Sequence, residues 1–129
     1  MKEKDIYKRM KIRLLGKHIF LHRFEAYSIP DVHYVKSVSS SGWIELKVIN
    51  KFPKKDYITI PFRKGQYAWI RKYIKFSEYI FLFIYIEHTL FVIKGMNIHP
   101  AYTKTSIRSS SCYHQLWDCV NWHEVFNLL

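Results

Sequence analysis

Apolar residues recur along this chain with two different periods, and the places where the period changes predict its elements. In residues 2–15, Ile6, Met10, Ile12, Leu14 and Leu15 stand among lysines and arginines, which predicts a short basic amphipathic helix ending at Gly16. Residues 18–25 (HIFLHRFE) are rich in β-formers and predict a first strand. Pro30 forces Ile29 into extended backbone, so Asp31 opens a second strand over 31–35. The serines from Ser37 to Gly42 suit a turn, and residues 42–49 then alternate. Ile44, Leu46 and Val48 share one face of that strand, and Trp43, Glu45 and Lys47 share the other. The apolar face is assigned to the core, and the Glu45–Lys47 face is expected to open into a cleft beside Asp31.

Helical spacing returns over 63–76, with Tyr67, Ile70 and Ile74 three and four residues apart and Gln66 near the first turn. Two more strands are predicted at 79–87 and 89–95, then an irregular stretch, then a C-terminal helix over 112–127. The order helix, three strands, helix, two strands, helix implies an α/β fold in which helices pack on a sheet. At 129 residues the chain suits a single domain, 1–129, with its core at about 18–95. The most apolar run, Tyr79 to Ile86, is far shorter than the roughly 20 residues of a membrane-spanning helix, so no membrane association is expected.

Charge narrows the class of partner. Twenty-one Lys and Arg against ten Asp and Glu give a formal +11, which favours a polyanion, nucleic acid first. Clusters at Lys8, Arg9, Lys11 and Arg13, at Lys51, Lys54 and Lys55, and at Arg63, Lys64, Arg71 and Lys72 are candidate phosphate contacts. The alternative for each is a solvated surface. Two cysteines make no disulfide framework, and no signal-type apolar segment follows the basic N-terminus. A cytoplasmic location is expected, in a host cell if the protein is viral.

The chemistry concentrates around the predicted hairpin. Asp31 and Glu45 lie on adjacent strands and Lys47 follows Glu45 on the same face. Two carboxylates with the Leu46 carbonyl could hold a hard divalent cation, and the lysine could reach a water or a phosphate. Glu-x-Lys alone is common and carries little weight. The surrounding pattern carries more: Ile29-Pro30-Asp31-Val32, a hairpin, Ile44-Glu45-Leu46-Lys47-Val48, then Arg63-x-x-Gln66-x-x-Trp69-Ile70 opening a helix.

This combination resembles the PD-(D/E)XK nuclease superfamily over residues 18–95. Within it, the pattern is most similar to the small VRR-NUC and Holliday-junction-resolvase-like endonucleases of phages and other mobile elements. The resemblance implies a restriction-endonuclease-like fold, a mixed central β-sheet flanked by helices. It also implies Mg²⁺-dependent hydrolysis of phosphodiester bonds in branched or structured DNA, with Mn²⁺ as a substitute cation, in recombination or repair. By the same resemblance Asp31, Glu45 and the Leu46 carbonyl hold metal, Lys47 is the catalytic lysine, Gln66 supports the site, and Glu25 is preferred to Glu3 as a further upstream acid. Relatives of this type are often dimers, so a homodimer is an expectation.

Other groups point elsewhere. Cys112, His114, Cys119 and His123 match no common zinc spacing, and a helix there would put the two cysteines on one buried face. Phe81, Phe83 and Phe91 are expected inside, whereas Trp43 and Tyr67 are expected to face DNA or wall the site. Trp117, Val120, Trp122, Val125, Phe126 and Leu128 either meet a partner or cap their own core. The rival function is a catalytically silent or inhibitory nucleic-acid-binding protein on the same fold, and a further rival is a binder of acidic proteins.

Overall fold

A computed structural model describes residues 1–26 and 28–129. Its elements in chain order are α1 (Glu3–Arg13), β1 (Phe20–Arg23), β2 (Val32–Ser37), β3 (Ser40–Ile49), β4 (Tyr57–Thr59), α2 (Gln66–Tyr73), β5 (Ile80–Ile86), β6 (Thr89–Lys94), β7 (Ala101–Thr103), α3 (Lys104–Ser110), β8 (Tyr113–Leu116) and α4 (Trp122–Leu128). Six strands form the main sheet in the order β1-β2-β3-β5-β6-β8, and β4 pairs with β7 separately. The β3–β5 pair is parallel and its neighbours are antiparallel, so the sheet is mixed. A parallel pair needs a crossover, and the segment carrying β4 and α2 supplies it.

Each face of this sheet buries its own apolar cluster. On one face Val32, Tyr34, Ile44, Leu46, Phe81, Phe83 and Val92 meet Ile6 and Met10 of α1 and Trp122 and Val125 of α4. On the other Ile80, Leu82, Ile84, Ile86 and Ile93 meet Ile70 of α2, Ile58, Tyr102 and Ile107. Covered on both sides, β5 is buried at every position, which is why its sequence is a continuous apolar run. Gly42 lets β3 come close to its neighbours, because a Cβ there would fall on the Tyr79 carbonyl and the Tyr34 ring.

The C-terminal expectation needs correction. Residues 112–127 do not form one helix: β8 adds an edge strand to β6, a 3₁₀ turn follows at Trp117–Cys119, and only Trp122–Leu128 is α-helical. The side chain of Asn121 accepts from the amides of His123 and Glu124, a helix start placed well inside the expected helix. Cys112 and Cys119 are accordingly exposed and share no buried helix face. Trp122, Val125 and Leu129 are buried, with Trp117, Val120, Phe126 and Leu128 packed against them, so this segment caps its own core.

Candidate active site

The edge of β3 explains where the polar cluster forms. Pairing with β2 runs only as far as Val32 opposite Ile44, whereas pairing with β5 continues to Ile49. Beyond Ile44, one side of β3 therefore lacks a strand partner. Asp31, held just before β2 by Pro30, fills that gap: its Oδ2 accepts from the Leu46 amide at 3.0 Å. A residue's N–H and C=O point the same way from an extended strand, so the Leu46 carbonyl is directed toward the same opening.

Side-chain alternation brings the other groups in. Ile44 and Leu46 enter the cluster of α1 and α4, which turns Glu45 and Lys47 toward α2. There Gln66, the first residue of α2, bridges them: its Oε1 accepts from Lys47 Nζ at 3.0 Å, and its Nε2 donates to Glu45 Oε2 at 3.0 Å. Gln66 Oε1 also accepts from the Arg63 amide at 2.8 Å, which fixes the entry to the helix. The entry passes through Gly65 at φ +87°, a conformation that favours glycine.

The remaining contacts tie the acids to cations. Lys47 Nζ lies 3.4 Å from Glu45 Oε1 and 3.9 Å from Glu3 Oε1. Arg63 Nη2 lies 3.3 Å from Asp31 Oδ1. Phe62 walls the cluster, its ring centre 5.9 Å from Lys47 Nζ, and Tyr67 packs behind Phe62 at 5.6 Å.

Four polar side chains are thus almost wholly buried: Glu45 at 0% exposure, Gln66 at 1%, Asp31 and Lys47 at 3%. The expected open cleft is corrected accordingly. The Glu45–Lys47 face is roofed by α2, by Phe62 and Arg63, and by Glu3 from the start of α1, because the groups satisfy one another across the gap. The half-exposed rim is formed by Glu3 and Arg63.

Burial sets the electrostatics. Loss of water raises the Glu45 pKa far above the usual carboxylate range, and the hydrogen bond and charge of Asp31 push it further up. Lys47 and Arg63 pull in the opposite direction without cancelling the effect. Glu45 Oε1 is also buried without a hydrogen bond. Two apposed carboxylates, one favouring a proton, are a donor set that a hard cation fits, since the cation can replace the shared proton. Among the described residues no three His, Cys, Asp or Glu side chains converge as a metal-binding group. A cation would therefore complete its shell with a carbonyl, waters or substrate oxygen.

Of the residues singled out by sequence, Asp31, Glu45, Lys47, Gln66 and the Leu46 backbone come together. Glu25 does not join them by a hydrogen bond or ion pair among the described residues. It is exposed and lines a surface depression with Lys2, Glu3, Lys4 and Arg23. Glu3 is the acid that reaches the cluster, and burial raises its pKa, with Lys47 the largest opposing influence. Its signal lay in the helix period: Glu3 falls on the same stripe as the buried Ile6 and Met10. Arg63 was legible as part of a basic cluster and of the helix-opening pattern with Gln66, but not as the partner of Asp31, because a pairing across 32 residues leaves no local pattern. Trp43 is half-buried against Trp69, ring centres 5.5 Å apart, and packs against the apolar cluster on the α2 side.

The fold is similar to that of Hjc, a Holliday junction resolvase from the archaeal hyperthermophile Archaeoglobus fulgidus. The TM-score is 0.59 at 9% sequence identity, over 84% of this chain and 89% of the other. That likeness establishes a shared mixed α/β architecture. No family model matches the sequence, and no curated protein matches it. Among the described residues no helix is long and apolar enough to cross a membrane.

Proposed function

We propose that the protein is a divalent-metal-dependent endonuclease that hydrolyses phosphodiester bonds in branched or structured DNA. The observation that carries this reading is the buried carboxylate pair, Asp31 and Glu45, with Lys47 Nζ 3.4 Å from Glu45. Burying charged groups costs several kcal/mol unless they are fully paired, so a cluster kept at this position suggests a chemical role. The similarity of the fold to a Holliday junction resolvase, and the net charge of +11, support DNA as the substrate class.

In this reading Asp31, Glu45 and the Leu46 carbonyl hold Mg²⁺, with Mn²⁺ able to substitute. When bound, such a cation would supply an activated water and neutralise charge on the phosphate. Lys47, with its ammonium group beside Glu45, is placed to orient the nucleophile or the phosphate. Gln66 holds Lys47 and Glu45 at fixed separation, and Arg63, at the rim beside Asp31, is placed to meet an incoming phosphate. A second copy of the chain would present two such sites to a symmetric four-way junction.

The test is cleavage of a panel of single-stranded, duplex, flap and four-way DNA, with Mg²⁺ and with chelator. Metal-dependent cutting that favours branched substrates is expected. Tight DNA binding without cutting under any metal would support the silent, binding-only alternative instead.

A further inference from the structure

The outer face of α2 leads away from the proposed site and ends in an unusual residue. Ala68, Arg71 and Lys72 are exposed on α2, as are Lys64 just before it and Lys75 just after it, and positions 68, 71, 72 and 75 lie on one side of the helix, so together they form one broad basic stripe. Among the described residues none of its four cations is ion-paired. Just beyond the stripe Phe76 is 89% exposed. Met96, 71% exposed on the neighbouring 3₁₀ turn, lines a depression with Arg71, Lys72, Ile74 and Lys75. Lys94 is close by in sequence, paired with Glu78 at 3.4 Å and lying over the Tyr79 ring.

A large aromatic exposed to this degree, with a run of unpaired cations leading up to it, fits a ligand with both phosphates and flat apolar faces. A second copy of this chain fits poorly, because its own basic face would be repelled. We infer that the α2 stripe tracks one DNA strand away from the scissile phosphate and that Phe76 stacks on an unpaired base at the branch. This deepens the nuclease reading and rests on it. Gln66 and Phe76 are ten residues apart along α2 and its C-terminal turn, which spans on the order of 15 Å at about 1.5 Å per residue. At roughly 3.4 Å per nucleotide the unpaired base lies about four nucleotides from the scissile phosphate.

The test measures binding in chelator, so that it does not depend on cleavage, using an intact duplex and a matched duplex carrying a single-stranded flap. An environment-sensitive base analogue, 2-aminopurine, is placed at the first unpaired position. Phe76→Ala is expected to weaken flap binding about tenfold while leaving duplex binding unchanged, and to abolish quenching of the analogue. Phe76→Trp should restore both. Arg71→Ala with Lys75→Ala should weaken both DNAs and reduce the salt dependence of binding. Equal losses on flap and duplex for Phe76→Ala, or no loss, would overturn the inference. So would a change in oligomeric state on sedimentation for this variant, or competition by polyglutamate as effective as by DNA. A wild type that binds both DNAs without preference would also overturn the inference, whereas a wild type that binds neither would overturn the nuclease reading itself.

Discussion

The two faces of β3 come from one alternating stretch of sequence and do opposite work. Toward α1 and α4, Ile44 and Leu46 enter an uninterrupted apolar cluster. Toward α2, Trp43 and Ile49 are packed in apolar surroundings, but the two positions between them hold Glu45 and Lys47. Both faces are buried, so exposure does not distinguish them. What differs is that one gains stability from every side chain, while the other spends stability on a charged cluster held together by Gln66, Arg63 and Asp31. The buried polar face beside a well-packed apolar one, on the same strand, is where the proposed active site lies.

The sharpest break in that comparison should come from activity. Lys47→Ala removes the ammonium group from the α2 side and leaves the apolar face intact, so cleavage is expected to fall by about 10²–10³ or more. Circular dichroism and DNA binding should be nearly unchanged. Activity close to wild type would assign Lys47 to structure alone.

The mirror substitution is Leu46→Ala, which excavates the opposite face. It should cost roughly 2–5 kcal/mol of stability in denaturant unfolding, with cleavage by the folded fraction retained. A cost as small as that of an exposed site would mean that the two faces are not divided as described.

Titration separates the faces more gently. The Glu45 pKa is raised in the fold by burial and by Asp31, and the Glu3 pKa is raised by burial. A group whose folded pKa lies above its unfolded value near 4.5 contributes stability fully present below that value and lost as pH rises through the folded pKa. Without metal, stability should therefore decline as pH rises from 5 to 9. Glu45→Gln keeps the shape without the proton, so it should flatten the decline, and Mg²⁺ should reduce it by displacing the proton. A profile identical in wild type and Glu45→Gln would remove Glu45 as the cause. The smallest effect concerns the surface: replacing Lys64 with Ala should weaken duplex binding only severalfold, in proportion to one lost phosphate contact.

Much of this arrangement was legible in sequence because it is local. The β3 alternation, Pro30 before Asp31 and the helical spacing around Gln66 each set the direction of a side chain within a few residues. The continuous apolar run of β5 likewise predicted a strand, and the fold buries it at every position. The missed parts are those in which distant segments decide. Strands β4 and β7 are three residues each and exist through pairing with one another. Helix α3 has Ile107 as its one buried residue and starts from the reciprocal Thr103–Ser106 cap, so a serine-rich stretch read as irregular. The closed state of the site followed from Glu3 and Arg63 reaching Lys47 and Asp31 from distant segments, which no spacing within β3 could reveal.

The central claim is that the buried acid pair exists to hold a catalytic cation, and Asp31→Asn tests it most directly. The variant keeps nearly the shape of Asp31, and its one amide oxygen can still accept from the Leu46 amide, but it loses acceptance from Arg63 and removes the charge that attracts the metal. A cleavage time course on a branched DNA in Mg²⁺, at protein concentrations giving equal DNA occupancy, compares it with the wild type. The account predicts cutting by the wild type alone, with Asp31→Asn reduced by at least about 10²-fold. Equal rates for the two proteins would contradict it.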